Sequence, residues 1–482
     1  HNNTSFFPSS LCRKWICGWK TLVSSWARGE ASTIELHVCN NTTKTATPVK
    51  VHCSTVFLYK FGTCFQPQKP LLCIMNSLCV STTKWFLQLV LLLLQSNICN
   101  VDCLNAPSPL KVNISKIENA ANFRIFYGQS FKVIKNFVDG YSYLLIQNNS
   151  KMASTTQYCS ARTKSFVVPL ANFSADTYRF PVSFFELLGL LGNLKGATSF
   201  YTASECVQKV IEGGDVDLLN GSYSQQFSQY GAYFVSDVNA LQGCNSASFL
   251  PISEQSPLQR AEWIKFLGAF ANLENRANDV YSKIKNSYLC LVYLTANRTS
   301  SFNPVVAWMQ YDNIGEWSFT SDSYKLKFVE DAGGENIDTS INKKTYNVSS
   351  TDDLEQLHAI LCTIDVVIDE TLSSDPTVYN STTFLQNTKA EDTSCFSFLS
   401  TKSLWRNDKR IEIGSSIDWF DGIASQPQIF LADLIEALSP TGNHTTVFLR
   451  NVAKGEGVTF VDANNCIRHT TQPLEPTLML CE

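Results

Sequence analysis

The sequence predicts an α/β protein of two Rossmann-like lobes, each with a largely parallel sheet, joined by one long linking helix. Two separate stretches alternate short strand-like segments with amphipathic helical segments, and a long helical pattern lies between them. About 380 residues follow a leader-like segment, which is enough for two lobes with substantial cores.

The leader-like segment is internal and covers residues 75–102. One Lys precedes an apolar core from Trp85 to Leu94, which is too short to span a bilayer, and small or polar residues follow. Residues 1–74 contain no Met and carry eight Lys and Arg against two Glu, whereas the remainder is acidic. We therefore expect a signal peptide at 75–102 and an upstream extension at 1–74 that the mature protein lacks. The alternatives are a buried internal helix and a Cys-rich module with its own disulfides.

Glycosylation sequons and cysteines favour the secretory pathway, and so a secreted or cell-surface protein. Nine cysteines follow the leader, which suits an oxidising compartment. We expect the disulfides Cys206–Cys244 and Cys362–Cys395, each within one lobe. The odd count leaves one thiol free unless Cys99 survives cleavage. Eight Asn-x-Ser/Thr sequons are candidate glycosylation sites: Asn113, Asn148, Asn172, Asn220, Asn297, Asn347, Asn380 and Asn443.

The predicted N-terminal lobe, residues 103–272, begins with a strand pair. The segment "FRIFYGQSFKVIKNFVDGYSYLLIQNNS" alternates aromatic or β-branched residues with polar ones around Asp139-Gly140, which is typical of strands joined by a turn. After the strand-like "SFVVPL", a Pro-led apolar helix ends near Gly192 and Gly196. A further helix is predicted in "SPLQRAEWIKFLGAF".

A long amphipathic helix is predicted for residues 273–295. Because it lies midway along the chain that follows the leader, we expect it to link the two lobes. Its apolar residues recur every three or four positions and define one buried face: Leu273, Ala277, Val280, Ile284, Tyr288 and Leu291.

The predicted C-terminal lobe, residues 296–440, repeats the alternation. The segments "PVVAWMQY" and "IDVVIDE" indicate buried strands, and "SYKLKFVEDAGGENI" and "TDDLEQLHAIL" indicate helices. The segment "DWFDGIASQPQIFLADLIEALSP" is interpreted as a loop that leads into a final helix, and residues 441–482 as a C-terminal tail. Two such lobes enclose a cleft, which is a favoured place for a ligand.

Four segments resemble the helical-backbone class of periplasmic substrate-binding proteins, which deliver siderophores, haem, metals or vitamin B12 to transporters. They are "FFELLGLLGNLKGATSFYT", "PLQRAEWIKFLGAFANLENRAN", "VEDAGGENI" and "DWFDGIASQPQIFLADLIEALSP", and the resemblance covers most of residues 120–440. "PLQRAEWIKF" and the sequons are more similar to secreted eukaryotic members such as algal cobalamin-acquisition proteins. Where bacterial members present an acid to a permease, this chain has Gln225 and Gln226 beside the Asn220 sequon. This departure from the family argues against a bacterial-type importer and favours capture at the cell surface or handover to a receptor.

The candidate ligand residues are mostly aromatic, which suits a bulky and partly apolar ligand such as cobalamin, another tetrapyrrole or a siderophore. The three His residues after the leader are scattered, so we expect no metal site and no intrinsic cofactor. The alternative is that several of these aromatic residues belong to the core. Trp317, Trp419 and Phe420 are favoured because they lie in predicted loops. The candidates are Tyr178, Phe180, Tyr201, Trp308, Tyr311, Trp317, Trp419 and Phe420, with Asp418 as a hydrogen-bond acceptor.

No catalytic motif is found, so we expect a binding protein rather than an enzyme. A secreted hydrolase is the alternative from another class, and a buried acid pair in the cleft would favour it. The candidate pairs are Asp352-Asp353 and Asp418 with Asp421, although such pairs often cap helices or face solvent. The expected partners are a small-molecule ligand and a surface receptor, with no nucleic acid, at most peripheral membrane association, and a monomeric state.

Overall fold

The computed structural model describes residues 34–40, 45–51, 114–155, 158–177, 180–220, 224–238, 243–297, 302–412 and 417–479. The chain divides into two units, residues 1–108 and 109–482. In the first unit, strands β1 (Ile34–Asn40) and β2 (Thr45–Val51) form an antiparallel hairpin. The leader-like segment 75–102 lies outside the described residues.

Two sheets form the N-terminal lobe of the second unit. A four-stranded sheet has the order β3-β4-β5-β6, and a five-stranded sheet with the order β11-β10-β7-β8-β9 is parallel throughout. The predicted strand pair at the start of this lobe is confirmed as the antiparallel β3 and β4. The strands are β3 (Phe123–Tyr127), β4 (Phe131–Asn136), β5 (Ser142–Gln147), β6 (Thr163–Val168), β7 (Phe173–Ala175), β8 (Leu194–Ala197), β9 (Asp217–Leu218), β10 (Tyr233–Val235) and β11 (Ser246–Ser248).

Aromatic rings make up much of the core of this lobe. Trp263 lies 4.8 Å from Phe123, and Phe270 lies 5.1 Å from Phe166, measured between ring centroids. These contacts hold helices against the first sheet, because large rings bury much apolar area and favour tilted or edge-on packing. The helices are α1 (Ser183–Leu188), α2 (Glu205–Glu212), α3 (Pro257–Ala261) and α4 (Ile264–Ala271), with one-turn helices at Met152–Thr155 and Ser224–Phe227.

The linking helix is α5 (Glu274–Ala296), a 23-residue helix that confirms the predicted position. Its N-terminal half contributes Ala277, Val280 and Ile284 to the core of the N-terminal lobe. Its C-terminal half contributes Tyr288 and Leu291 to a separate core in the other lobe. One rigid element is therefore shared by both hydrophobic cores.

The C-terminal lobe is built on a seven-stranded sheet with the order β15-β13-β12-β16-β17-β19, in which β14 pairs with β12. Its central strands β12, β16 and β17 are parallel, and β13, β15 and β19 pair antiparallel. The predicted strands in "PVVAWMQY" and "IDVVIDE" are confirmed. The strands are β12 (Val305–Tyr311), β13 (Glu316–Phe319), β14 (Glu335–Asn336), β15 (Thr345–Asn347), β16 (Val366–Asp369), β17 (Leu404–Arg406), β18 (Arg410–Glu412), β19 (Arg450–Asn451) and β20 (Thr459–Val461).

The three helices predicted in this lobe are confirmed at Ser323–Asp331, Thr351–Leu361 and Pro427–Leu438, whereas the helix at Ser381–Thr388 was not predicted. The segment from Asp418, expected to be a loop, is a helix in which Trp419 and Ile423 are buried four positions apart on one face. Trp317 was also expected in a loop and lies in strand β13. The helices are α6 (Ser323–Asp331), α7 (Thr351–Leu361), α8 (Ser381–Thr388), α9 (Asp418–Ser425) and α10 (Pro427–Leu438), with one turn at Ser397–Ser400.

Residues 459–479, here called the C-terminal strap, pack against both lobes. Strand β20 pairs in parallel with β18 of the C-terminal lobe. The Leu474 backbone N–H donates to the carbonyl of Glu186 in α1 over 2.8 Å. The Met479 N–H donates to Ser287 Oγ in the linking helix over 2.7 Å. The segment predicted to be a tail therefore ties the lobes and their linker together.

Three disulfides join described cysteines, and one of the two predicted bonds is present. Cys362 pairs with Cys395. The predicted Cys206–Cys244 bond is wrong, because Cys206 pairs with Cys466 in the C-terminal strap and Cys244 pairs with Cys159. Pairing depends on proximity in the fold, and the Cα atoms of Cys206 and Cys466 lie 4.9 Å apart despite 260 positions of separation. Within the described residues, no helix has both the length and the apolar character needed to cross a membrane.

Candidate ligand site

One carboxylate joins the loops that follow three parallel strands of the N-terminal lobe. Asp176 follows β7 and accepts hydrogen bonds from Thr198 after β8 over 2.7 Å and from Ser236 after β10 over 3.2 Å. Thr177 donates to the carbonyl of Ser199 over 2.6 Å. Because parallel strands end at the same edge of a sheet, these loops form one hydroxyl-rich surface around an acid.

Two aromatic side chains lie exposed in the loop after β8. Phe200 is 40% exposed and Tyr201 is 62% exposed. The hydrogen bond from the Tyr201 N–H to Ser199 Oγ, at 3.1 Å, fixes the backbone beneath them. Exposed rings on a fixed loop at a strand end are available to contact a partly apolar ligand.

A buried ion-pair network fixes the corresponding edge of the C-terminal lobe. Arg406 ends β17 and donates to Asp369 at the end of β16 over 2.9 Å and to Asp408 over 2.7 Å. Arg450 donates to the same Asp408 over 2.8 Å. Arg406 also donates to the carbonyl of Thr371 over 2.6 Å. Such a satisfied network holds the strand-end loops in one arrangement.

A Lys–Glu pair lies beside this network. Lys325 in α6 is ion-paired with Glu370, which follows β16, and its ammonium lies 5.4 Å from the centroid of Trp308 and 5.5 Å from that of Trp419. Burial raises the pKa of Glu370, although the Lys325 charge opposes the rise. The pair connects a strand-end loop to the aromatic core beneath it.

The two lobes meet where helix α9 packs against α1 and α3. Arg410 of β18 lies 2.8 Å from Glu205, the first residue of α2, and 2.7 Å from Asp418, the first residue of α9. Because Glu205 belongs to the N-terminal lobe and Asp418 to the C-terminal lobe, one guanidinium joins the two. We call this contact region the lobe seam.

A second acid of the lobe seam, Asp421, has a raised pKa. Asp421 Oδ1 accepts a hydrogen bond from the Ser183 backbone N–H over 3.0 Å, whereas its Oδ2 is buried without a partner. Burial raises the pKa of Asp421 to about 8, against the opposing hydrogen bond from Ser183. Burial also raises the pKa of Asp418 to about 6, although the Arg410 charge lowers it. Burial thus raises the pKa of both neighbouring carboxyls, and that of Asp421 more.

A third carboxylate, Glu186 of α1, faces the C-terminal strap. It accepts from Ser204 Oγ and is ion-paired with Arg468. Burial raises its pKa, and the contacts with Ser204 and Arg468 oppose that rise. The strap therefore supplies the cation that is paired with Glu186.

The predicted ligand residues of the N-terminal lobe have different surroundings. Tyr178 lies outside the described residues. Phe180 is buried in the core, stacked on Phe185 at 4.8 Å and Phe249 at 4.7 Å between centroids, so packing accounts for it. Tyr201 lies in the exposed loop after β8, where a ligand could reach it.

The predicted residues on β12 and β13 belong to one core. Trp317 is fully buried, and its indole N–H donates to the carbonyl of Asn387 over 3.0 Å. Tyr311 packs against it with centroids 5.3 Å apart and is partly buried. Trp308 is likewise buried. The core alternative therefore applies to both Trp residues, because their rings face packed side chains.

The predicted Asp418, Trp419 and Phe420 divide between the lobe seam, the core and the surface. Asp418 is ion-paired with Arg410. Trp419 is 4% exposed and packs on Trp308 with centroids 6.0 Å apart, which makes it a core residue. Phe420 is 59% exposed and is the side chain of the three that solvent reaches. A helix rather than a loop causes this division, because adjacent residues of a helix face different directions.

Sequence reasoning missed Arg410 and Asp176. An acid or a hydroxyl directly after each apolar strand was the available signal, since ligand loops follow strand ends. The seam contact of Arg410 with Glu205 joins residues 205 positions apart, so no local pattern could indicate it.

The remaining predicted positions show no metal or acid-pair site. Among the described residues, no group of three or more His, Cys, Asp or Glu is arranged to hold a metal ion. Asp352 is exposed. The Asp353 backbone N–H donates to Ser350 Oγ, the cap of α7, over 3.4 Å, and the Asp353 carboxylate accepts from the Asn347 N–H over 3.0 Å. This acid pair begins a helix, where negative charge is favoured.

The sequons are mostly at the surface. Asn172 is half-buried and accepts from the Gly231 N–H over 2.9 Å, and Asn113 lies outside the described residues. Glycosylation stays a prediction at all eight. The exposed positions are Asn148, Asn220, Asn297, Asn347, Asn380 and Asn443.

Comparison with known proteins finds no matching family model and no matching curated protein. Similar solved structures include a periplasmic heme binding protein from Pseudomonas aeruginosa, with 12% identity, a TM-score of 0.41, and coverage of 61% of this chain and 99% of that one. A periplasmic binding protein from Veillonella parvula has 11% identity, a TM-score of 0.40, and coverage of 55% and 90%. Helicobacter pylori Ceue with Ni(II) bound has 11% identity, a TM-score of 0.39, and coverage of 57% and 85%. The chain is thus similar to periplasmic binding proteins, and its own strand order defines it as α/β with two mostly parallel sheets.

Proposed function

We propose that this protein is a secreted or cell-surface solute-binding protein that captures a bulky ligand between its two lobes. The observation that supports this most is Arg410, which contacts Glu205 of one lobe and Asp418 of the other. Glu205 begins the helix that follows β8, and Arg410 follows β17, so the seam joins segments that come after a strand of each sheet. Ligands of open α/β sheets bind at such strand ends.

Cobalamin or a related tetrapyrrole is the ligand that we favour. Large exposed apolar side chains occur in the strand-end loops and on the helix at the seam, which suits a large planar ligand. A ferric siderophore or haem, bound for iron acquisition, is the alternative. The side chains concerned are Phe200, Tyr201, Leu372 and Phe420.

A titration panel tests this proposal. Purified protein is titrated with cyanocobalamin, haem and ferric siderophores by calorimetry, and we expect saturable one-to-one binding of at least one of them. Tyr201→Ser is expected to weaken that binding by roughly 1 kcal/mol or more through lost ring contact. Tyr293→Ser, a similarly exposed Tyr on the linking helix, is the matched control. Absence of binding to the whole panel, or equal losses in both variants, would contradict the proposal.

A hydrolase is the second candidate, and the acid pair Asp418 and Asp421 favours it. Their pKa values of about 6 and about 8 would give one ionised and one protonated carboxyl at pH 7, as acid–base chemistry requires. However, Asp421 Oδ2 is buried and Asp418 is held by Arg410, so neither acid is free to reach a substrate. Measurable turnover of a glycoside or ester substrate that Asp421→Asn abolishes would establish this function instead.

Secretion, a monomeric state and transfer of the ligand to a cell-surface receptor complete the proposal. The described disulfides suit an oxidising compartment, and the sequons are mostly exposed. Secreted material that is sensitive to an N-glycosidase and sediments as a monomer would agree with this proposal. A reduced, unglycosylated protein found inside cells would contradict it.

A further inference from the structure

The charged groups near the strand ends and the lobe seam suggest which class of ligand fits, and this inference rests on the proposed function. Five described cations there are engaged by carboxylates. Arg406 contacts Asp369 and Asp408, and Arg410 contacts Glu205 and Asp418. Arg450, Lys325 and Lys409 are also paired, with Asp408, Glu370 and Glu456 respectively.

An anionic ligand cannot easily replace the carboxylates that are paired with these cations. Arg406 and Arg450 are almost fully buried, and each shares Asp408, so moving either one toward a ligand would leave a buried carboxylate without its partner. Breaking one side of a buried pair is strongly unfavourable. An anionic ligand would therefore find no ready guanidinium fork among the described side chains of this region.

Two acids of the same region have no described cation beside them. Asp176 accepts from the hydroxyls of Thr198 and Ser236, and Asp312 after β12 accepts from backbone N–H groups, including that of Gly315 at 2.9 Å. Hydroxyl and N–H donors leave the negative charge in place. The described side chains of these strand-end loops are therefore rich in acceptors and carry net negative charge, which attracts hydrogen-bond donors and repels anions.

We infer that this site selects bulky ligands whose periphery carries neutral hydrogen-bond donors, such as carboxamides, over ligands of similar shape that carry carboxylates or other anionic groups. A carboxamide N–H donates to an acceptor-rich surface without adding charge. A carboxylate brings a like charge and lacks a donor, so its desolvation is not compensated.

Two corrinoids of nearly the same shape test this inference. One is cyanocobalamin, and the other is a corrinoid in which the peripheral carboxamides have been hydrolysed to carboxylates. Calorimetry at low ionic strength should give the carboxamide form at least roughly tenfold tighter binding, and the ratio should shrink as salt screens the repulsion. For siderophores, the same comparison uses the affinities of a neutral ferric trihydroxamate and an anionic ferric tris-catecholate.

A variant that removes one negative charge tests whether Asp176 contributes to the discrimination between neutral and anionic ligands. Asp176→Asn keeps one of the two acceptor oxygens that Thr198 and Ser236 use, and it should improve binding of the anionic ligand by roughly three- to tenfold, so that the affinity ratio between the neutral and the anionic ligand becomes smaller. Asp279→Asn, on an exposed position of the linking helix, is the matched control and should change neither. Equal or tighter binding of the anionic member by the wild-type protein would overturn the inference and leave the proposed function intact. Failure of every probe to bind would overturn both.

Discussion

At the scale of single residues, Trp419 and Phe420 are neighbours with different expected roles. Trp419 is buried against Trp308 and Phe430, whereas Phe420 is 59% exposed. We expect Trp419→Ala to lower the free energy of unfolding by about 3–5 kcal/mol, because it removes a large core side chain. Phe420→Ala should cost less than about 1 kcal/mol. Urea denaturation of both variants measures these changes.

If Trp419 were in a loop, as the sequence predicts, Trp419→Ala would weaken ligand binding and leave the free energy of unfolding nearly unchanged. Because the structure buries Trp419 in the core, we expect a loss of stability instead. If Trp419→Ala proves as stable as the wild type, the ring is not a core residue. A loss of ligand affinity in Phe420→Ala without loss of stability would instead identify Phe420 as a contact residue.

The Asp421 carboxyl should make stability depend on pH. Its pKa is raised to about 8 in the folded protein, so between its ordinary value and pH 8 the folded state binds more protons than the unfolded state. The free energy of unfolding therefore falls as pH rises, by up to about 1.4 kcal/mol per pH unit. Asp421→Asn should flatten this dependence between pH 5 and pH 8.

Denaturation of both proteins across this pH range gives the comparison. Asp392→Asn is the control, because Asp392 is an exposed carboxylate whose pKa is lowered by hydrogen bonds from Ser394. An identical slope in the wild type and Asp421→Asn would mean that Asp421 is ionised at the lobe seam. Because the pKa of Asp418 is raised to about 6, the free energy of unfolding of Asp421→Asn should still fall with rising pH below pH 6.

At the scale of elements, the C-terminal strap is expected to stabilise the N-terminal lobe through Cys466. Replacing both Cys206 and Cys466 by Ser should lower the free energy of unfolding by about 2–5 kcal/mol. Hydrogen exchange should also become faster in α2, which carries Cys206. The Cys362→Ser/Cys395→Ser pair, within one lobe, should leave exchange in α2 unchanged. Unaltered exchange in α2 after loss of Cys466 would refute a stabilising role of the strap.

Elements with strong local patterns could be predicted from the sequence. The linking helix and strand β12 were placed within about a residue, because long periodic or continuous apolar segments specify their own structure. Helix α9 was missed because its eight residues include the loop-like Asp421-Gly422 pair. The Cys206–Cys466 bond and the Arg410–Glu205 contact join distant positions, and only the folded chain brings them together.

At the scale of the whole molecule, we expect the two lobes to move little on ligand binding. The linking helix contributes to both cores, and the strap contacts α1, the linking helix and α10, where Gln428 donates to the Thr477 carbonyl over 2.8 Å. Small-angle scattering should show a radius of gyration that changes by less than about 1 Å when ligand is added. A larger contraction would indicate hinge closure and would contradict a preformed site.

The start of the mature chain is a separate prediction for the whole molecule, and it lies outside the described residues. If residues 75–102 are a leader, N-terminal sequencing of secreted protein should begin between about Asn97 and Leu104. Peptides from residues 1–74 in the secreted material would favour the Cys-rich module instead.

The Cys206–Cys466 bond also constrains the order of events during biosynthesis. Because the chain is made from its N-terminus, Cys159 and Cys244 are both available early, whereas the partner of Cys206 emerges 260 residues later. During that interval Cys206 carries a reactive thiol beside cysteines that are already present. Correct oxidation therefore requires the nascent N-terminal lobe to keep Cys206 apart from Cys244, or a disulfide isomerase to correct the mispaired bond once the last part of the chain has been synthesised.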